Sequence, residues 1–125
     1  MAVTITTGTR NAACDAVVDL VDVSAPGALK IYTTGLGTLL AILDMGNPAF
    51  GAAAAGVATA NAISDDTSAD NTGTAAEFKL EDGAASEVLR GSVGTVGEDI
   101  NLNTTSITAG DTVSISALTV TMPAS

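Results

Sequence analysis

The chain has 125 residues, and 63 of them are Ala, Gly, Thr or Ser; its only aromatics are Tyr32, Phe50 and Phe78, and it has no Trp or His. Ten Asp and four Glu against two Lys and two Arg give a net charge of −10, which repels phosphate backbones and anionic membranes and argues against nucleic acid or membrane as a partner. Cys14 is the only cysteine, so no internal disulfide can supplement the thin core of what its length makes a single domain, residues 1–125. Oligomerisation or docking on a larger surface is the remaining source of stability.

The first residues, MAVTITTGTRNAACDAVV, lack the basic start, apolar core and cleavage site of a secretory signal. No apolar run reaches the roughly 18 residues of a membrane-spanning helix. The expectation is a chain made and kept in a cytoplasm. Ala2–Thr6 alternates apolar and hydroxylated residues, the pattern of a short strand or an N-terminal arm over residues 1–7. Thr7-Gly8-Thr9 offers helix N-cap candidates. From Arg10 to Val23, Ala13, Cys14, Val17, Val18, Leu20 and Val21 recur at helical spacing with Asp15, Asp19 and Asp22 opposite. This predicts an amphipathic helix within residues 8–23, ended by Ser24-Ala25-Pro26-Gly27. Cys14 lies on its apolar face beside Asp15, an acidic setting that favours a buried structural thiol over a reactive one.

Residues 28–123 read as β structure. Ala28–Thr33 and Thr38–Met45 flank Gly35–Gly37 as a hairpin, broken by Gly46-Asn47-Pro48. Phe50 is a core anchor beneath a packed Ala/Gly loop, Gly51–Gly56. Val57–Ser64 alternates Val57, Thr59, Asn61 and Ile63 against Ala58, Ala60 and Ala62, a small-residue face suited to close contact with another backbone or subunit. Asp65–Gly73 is a polar surface loop. Its Asp65, Asp66 and Asp70 lack the alternation and closing Glu of a calcium loop, so a solvated acidic loop is favoured. Thr74–Glu81 places Ala76, Phe78 and Leu80 on one face and Glu77, Lys79 and Glu81 on the other. Asp82-Gly83 turns the chain into Ser86–Val93.

The following GSVGTVG is no phosphate loop, because Lys and a succeeding helix are missing. Ile100 and Leu102 alternate with Asn101 and Asn103, and Asn103–Gly110 is a connection. In the last segment Val113, Ile115 and Ala117 share one parity, after which Leu118, Val120 and Met122 take the other. A change of phase without a turn residue predicts a bulge or corner before Pro123 ends the strand. One helix followed by seven or eight short strands predicts a mainly β (α+β) fold, an antiparallel sandwich or flattened barrel with the helix packed on it. Val17, Val21, Phe50, Phe78, Val113, Ile115, Leu118 and Val120 are the expected core anchors.

Catalytic chemistry is hard to build from this inventory. There is no His for acid–base work, no base beside a Ser or Cys nucleophile, and too few aromatics to line a sugar cleft for a carboxylate pair. No catalytic residue, cofactor or metal is expected, and the reading is a protein that is not an enzyme.

The block GSVGTVGEDINLNTTSITAGDTVSISALTVTMPAS, with TTGTRNAACDAVVDLVD and NPAFGAAAAGVATANAISDDTSADNTGTAAEFKLED, resembles small virion proteins of tailed bacteriophages of the head-decoration or cement type. Together these segments cover most of the chain. Between Tyr32 and Leu39 such proteins carry a longer Pro/Ala/Thr-rich loop, whereas TTGLGT stands here, so contacts made by that loop are not carried over. The resemblance implies a capsid decoration protein on the virion surface, bound to the major capsid protein and acting as a homotrimer. On that reading Val3, Thr4, Ile5 and Thr6 of the arm, with Ala58, Ala60 and Ala62, are candidate partner contacts. The alternative is a tail, fibre or receptor-binding module, for which only Tyr32 offers a sugar platform.

Overall fold

A computed structural model describes residues 3–124. A helix α1 (Thr7–Asp19) runs into a 3-10 turn (Leu20–Asp22) and is followed by nine short strands. These are β1 (Ala28–Tyr32), β2 (Leu39–Asp44), β3 (Val57–Thr59), β4 (Gly73–Thr74), β5 (Glu77–Glu81), β6 (Glu87–Gly94), β7 (Ile100–Asn101), β8 (Ser106–Ile107) and β9 (Thr119–Thr121). The chain is therefore mostly β with one α-helix. A five-stranded sheet, in the order β2-β1-β5-β6-β7, is curled into a half-barrel, and β3–β9 and β4–β8 form two separate ribbons. The pairing is antiparallel except between β6 and β7, where Val93 faces Ile100 and Gly94 faces Asn101 in parallel. That departs from the all-antiparallel expectation: residues 95–99 loop out and bring the chain back in the same direction.

The sheet's register follows from its two-residue side-chain period. On the inner face Leu43, Leu29, Leu80 and Leu89 form one cross-strand row, and Ala41, Ile31, Phe78 and Gly91 the next. On the outer face Ile42, Lys30, Lys79 and Arg90 form a row of their own. A slip by one residue would drive three cations into the core and expose the leucines, so the register is strongly specified. The second inner row ends on Gly91 for a steric reason. A Cβ there would lie 2.7 Å from Phe78 Cε1 and 2.5 Å from Asp99 Oδ2.

Leu29, Ile31, Leu40, Leu43, Leu80, Ile100 and Val113 are fully buried, and Phe78 nearly so, in one continuous core. Each is a side chain whose removal from water contributes about 1.5–3 kcal/mol. The helix adds Cys14, Val18 and, in the 3-10 turn, Val21, a stripe at i, i+4 and i+7. Val17 lies beside this stripe, half-buried and outside the core cluster, which corrects its assignment as a core anchor. Val21, Phe50, Phe78, Val113 and Leu118 belong to the cluster, and Ile115 and Val120 pack on it half-buried. The helix also starts earlier than its apolar pattern suggests. Thr6, in extended conformation, is the N-cap and accepts from Thr9 N through Oγ1. Its α-helical part stops at Asp19, before the expected Val23.

Two of the expected strands are broken up. Of Val57–Ser64 only β3 is regular, and Ala60 forms a single bridge with Phe50. The C-terminal segment distributes its backbone bonds over three partners in turn: Val113 exchanges both bonds with Asp66, Ser116 N donates to Asn101 O, and Leu118 O accepts from Ala60 N. The change of phase is present, since Ala117 is exposed and Leu118 buried. It occurs where the chain leaves one set of partners for the next.

Candidate functional site

The expected contact residues do not form one surface. In the arm, Val3 is 82% exposed, Thr6 caps the helix, and Ile5 is half-buried with its N–H donating to Ala124 O at 2.7 Å. Ala58 is completely buried between the helix and the core, which removes it as a partner contact. The alternation that placed it on an outward face is real, but α1 covers that face. Ala60 is half-buried and Ala62 exposed; both line a shallow groove of about 360 Å³ with Ile115–Leu118. Tyr32 is half-buried beneath Lys79, whose Nζ lies 5.7 Å from the ring centroid. Cys14 is buried, and its thiol donates to Val120 O at 3.3 Å.

Seven of the fourteen carboxylates accept backbone N–H groups. Asp15 Oδ1 accepts from Ala53 N at 2.8 Å and Asp22 Oδ1 from Ala49 N at 2.9 Å, with Asn11 Oδ1 taking Gly56 N at 2.8 Å. Asp15 and Asn11 of α1 thus hold the Ala/Gly loop by its amides, and Asp22 of the 3-10 turn holds Ala49 just before it. Gly56 sits against the Arg10 side chain, where a Cβ would come within 2.5 Å of Nη2, and Arg10 Nε donates to Met122 O at 2.8 Å. Elsewhere Asp66 accepts from Ile42 N and Ser68 N, Glu77 from Leu36 N, and Asp82 from Ala84 N and Ser86 N. Asp99 accepts from Ser92 N and Asp111 from Thr108 N. The bonds of Asp66, Asp82 and Asp111 to neighbours two to four residues away are legible as turn chemistry. Those of Asp15 and Asp22, and the Asp66 bond to Ile42, join distant segments, and sequence spacing carries no signal of them.

The outer sheet face carries the remaining ion pairs. Glu81 is 4% exposed, with Lys30 Nζ 2.7 Å from its Oε1 and Lys79 Nζ 3.7 Å from its Oε2. The Lys30 contact is a close ion pair without in-line hydrogen-bond geometry at Oε1. Glu81 holds the Lys30 ammonium above the ordinary lysine range. At the solvent edge Glu87 accepts two bonds from Arg90, at 2.8 and 2.9 Å, which lower the Glu87 carboxyl and raise the guanidinium.

A cleft of about 570 Å³ lies between β6 and β9. Phe78, Leu89 and Leu118 give it an apolar lining, Thr119–Thr121 form one wall, and Arg90, Glu98 and Asp99 lie along the other. Among the described residues, no helix is long and apolar enough to cross a membrane. Comparisons with protein-family models, with curated proteins and with solved structures gave no match.

Proposed function

We propose that the chain is a non-enzymatic structural protein of a tailed-phage virion, a capsid decoration protein that binds the major capsid shell as a homotrimer and strengthens contacts between capsomers. The reading rests on the sequence resemblance, and one structural observation carries it further. Half of the carboxylates, the side chains best suited to chemistry in a chain without histidine, serve as fasteners of backbone amides in loops and strands. A rigid body built in this way from small residues suits static docking, where affinity comes from complementary buried area and polypeptide order is in place before binding. In this reading the β3–β9 and β4–β8 ribbons act as the second layer of a flattened barrel opposite the curled sheet. Val3, Thr4, Ala60 and Ala62 remain the candidate contacts.

The test is cosedimentation of the purified protein with empty shells assembled from its phage's capsid protein, alongside isolated tails. Saturation of shells at a fixed ratio, with a trimer by mass analysis, is the expected result. Failure to bind shells together with recovery in tails would replace decoration by a tail or receptor-binding role.

A further inference from the structure

The cleft between β6 and β9 is bounded by strand edges that lack partners. In an antiparallel ladder, residues bonded to one neighbour alternate with residues whose backbone groups point away from it. Ala60 N donates to Leu118 O at 2.9 Å and Met122 N to Gly56 O at 2.7 Å, so residues 118, 120 and 122 direct their backbone groups towards β3. Thr119 and Thr121 direct theirs the other way, and both line the cleft. On β6, Val93 N donates to Ala76 O at 2.9 Å, which aligns residues 93, 91 and 89 with β5 and turns Arg90 and Ser92 outward. Asp99 takes the Ser92 N–H, and β7 pairs only alongside residues 93 and 94. By this alternation the backbone N–H and C=O groups of Arg90 point away from β5 and those of Thr119 and Thr121 away from β3, and among the described residues no loop or turn backbone bonds to them.

We infer that this cleft is an acceptor for one extended segment, and that its occupant is the N-terminal segment of a second copy of this chain. Main-chain bonds to the edge would supply affinity, and an apolar side chain would cover the half-buried Leu89, as in strand addition generally. Three features select this occupant. Ala2–Thr6 has the strand alternation, and Val3 on it is 82% exposed, among the most exposed large apolar side chains in the described chain. The stretch up to Arg10 carries no carboxylate, in a chain with fourteen. It therefore suits a cleft whose rim carries Glu98 and Asp99 and whose one cation, Arg90, is already held by Glu87. Finally, the arm is rooted beside the acceptor, because Ile5 N bonds Ala124 O only three residues beyond β9. That proximity lets copies exchange arms reciprocally and close the assembly. The inference deepens the self-association of the proposed function and does not depend on a capsid shell as partner.

The test is sedimentation equilibrium on the full chain and on three variants: one lacking residues 1–4, Val3→Asp, and Thr119→Pro. Proline is tolerated on a strand edge whose N–H faces away from its partner, so β3 pairing survives it. The full chain is expected to associate, and each variant to associate on the order of 100-fold more weakly, the scale of a few lost main-chain bonds with a buried side chain. Mixing the truncated chain, which keeps its acceptor, with Thr119→Pro, which keeps its donor, is expected to restore a complex. A full chain that stays monomeric, or association that survives both truncation and Val3→Asp, overturns the proposal even if Thr119→Pro does not fold. So does failure of a folded Thr119→Pro to form the complementing complex.

Discussion

At the β2 edge of the sheet, the polar loop is laid along the strand. Asp66 Oδ2 accepts from Ile42 N at 2.8 Å, Asp70 N donates to Leu40 O at 2.7 Å, and Ser64 N donates to Asp44 O at 3.0 Å. At the opposite side, β6 is paired by β7 over two residues and capped by Asp99 at Ser92, and the stretch around Arg90 is left open. The difference shows that an edge is closed by whichever donors and acceptors fall at the right spacing. A loop lacks the regular period of a strand, so a carboxylate reaches the amide that the loop backbone misses. An unpaired edge is a template for another chain unless it is covered or charged. Here one edge is sealed along β2, and the other keeps an apolar floor with free backbone groups.

The largest contrast is expected in the core beneath the two edges. Leu43→Ala under the sealed edge should cost about 3 kcal/mol, and Leu89→Ala beside the open cleft about 1 kcal/mol, because Leu43 is fully buried and Leu89 only partly. Denaturant unfolding of the two variants reads the difference directly; equal costs would mean that the cleft is as well packed as the core. Next, Asp66→Ala should cost about 2 kcal/mol, since it leaves the Ile42 and Ser68 amides without their charged acceptor. Amide hydrogen exchange sharpens this prediction. Ile42 N–H should be protected in the native protein and released in the variant, while Arg90 N–H exchanges readily in both when the protein is dilute.

A smaller effect is expected from the outer face. Lys30→Met leaves buried Glu81 with only the longer Lys79 contact, at a cost of about 1.5 kcal/mol after allowing for the exposure of Lys30. Its pH dependence has a defined sign. The folded-state value of Lys30 is raised, so its contribution is fully present below the ordinary value of 10.5 and is lost as pH rises through the folded value. The alkaline fall in melting temperature should therefore be shallower in Lys30→Met. The smallest change in stability is expected for Arg90→Ala, because the Arg90–Glu87 pair is solvent-exposed. Glu87 is lowered from its ordinary 4.5, so its contribution is present above that value and is lost as pH falls through the folded one. In Arg90→Ala the Glu87 carboxyl should titrate closer to 4.5 by NMR, with little change in the unfolding midpoint.

Much of the β architecture is legible in the sequence because side-chain alternation and burial are tied together strand by strand. Leu29 and Ile31, Phe78 and Leu80, and the change of phase from Ile115 to Leu118 all lie where alternation puts them. The breaks at Asn47-Pro48, Asp82-Gly83 and Gly110-Asp111 likewise follow from turn chemistry. Alternation was silent on what covers each face. Ala58 reads as an outward small residue and is buried, because α1 packs across β3 and β9. Val17 reads as core and sits at the margin, because the helix docks on the stripe Cys14, Val18 and Val21.

By itself, then, the sequence determined the β-rich character, the single N-terminal helix, the shared face of Phe78 and Leu80, and the acidic, small-residue composition. Each of these depends on residues close together in the chain. Tertiary structure alone decided the parallel β6–β7 pairing, the use of Asp15, Asp22, Asp66 and Asp99 as fasteners of backbone amides, and the open cleft between β6 and β9. Asp15, Asp22 and Asp66 reach amides 24 to 38 residues away, the cleft falls between strands that share no turn, and the β6–β7 and Asp99–Ser92 contacts depend on how residues 95–99 fold back. Which donor meets which acceptor across such distances depends on how the sheet curls and where the helix lies, and no local pattern encodes either.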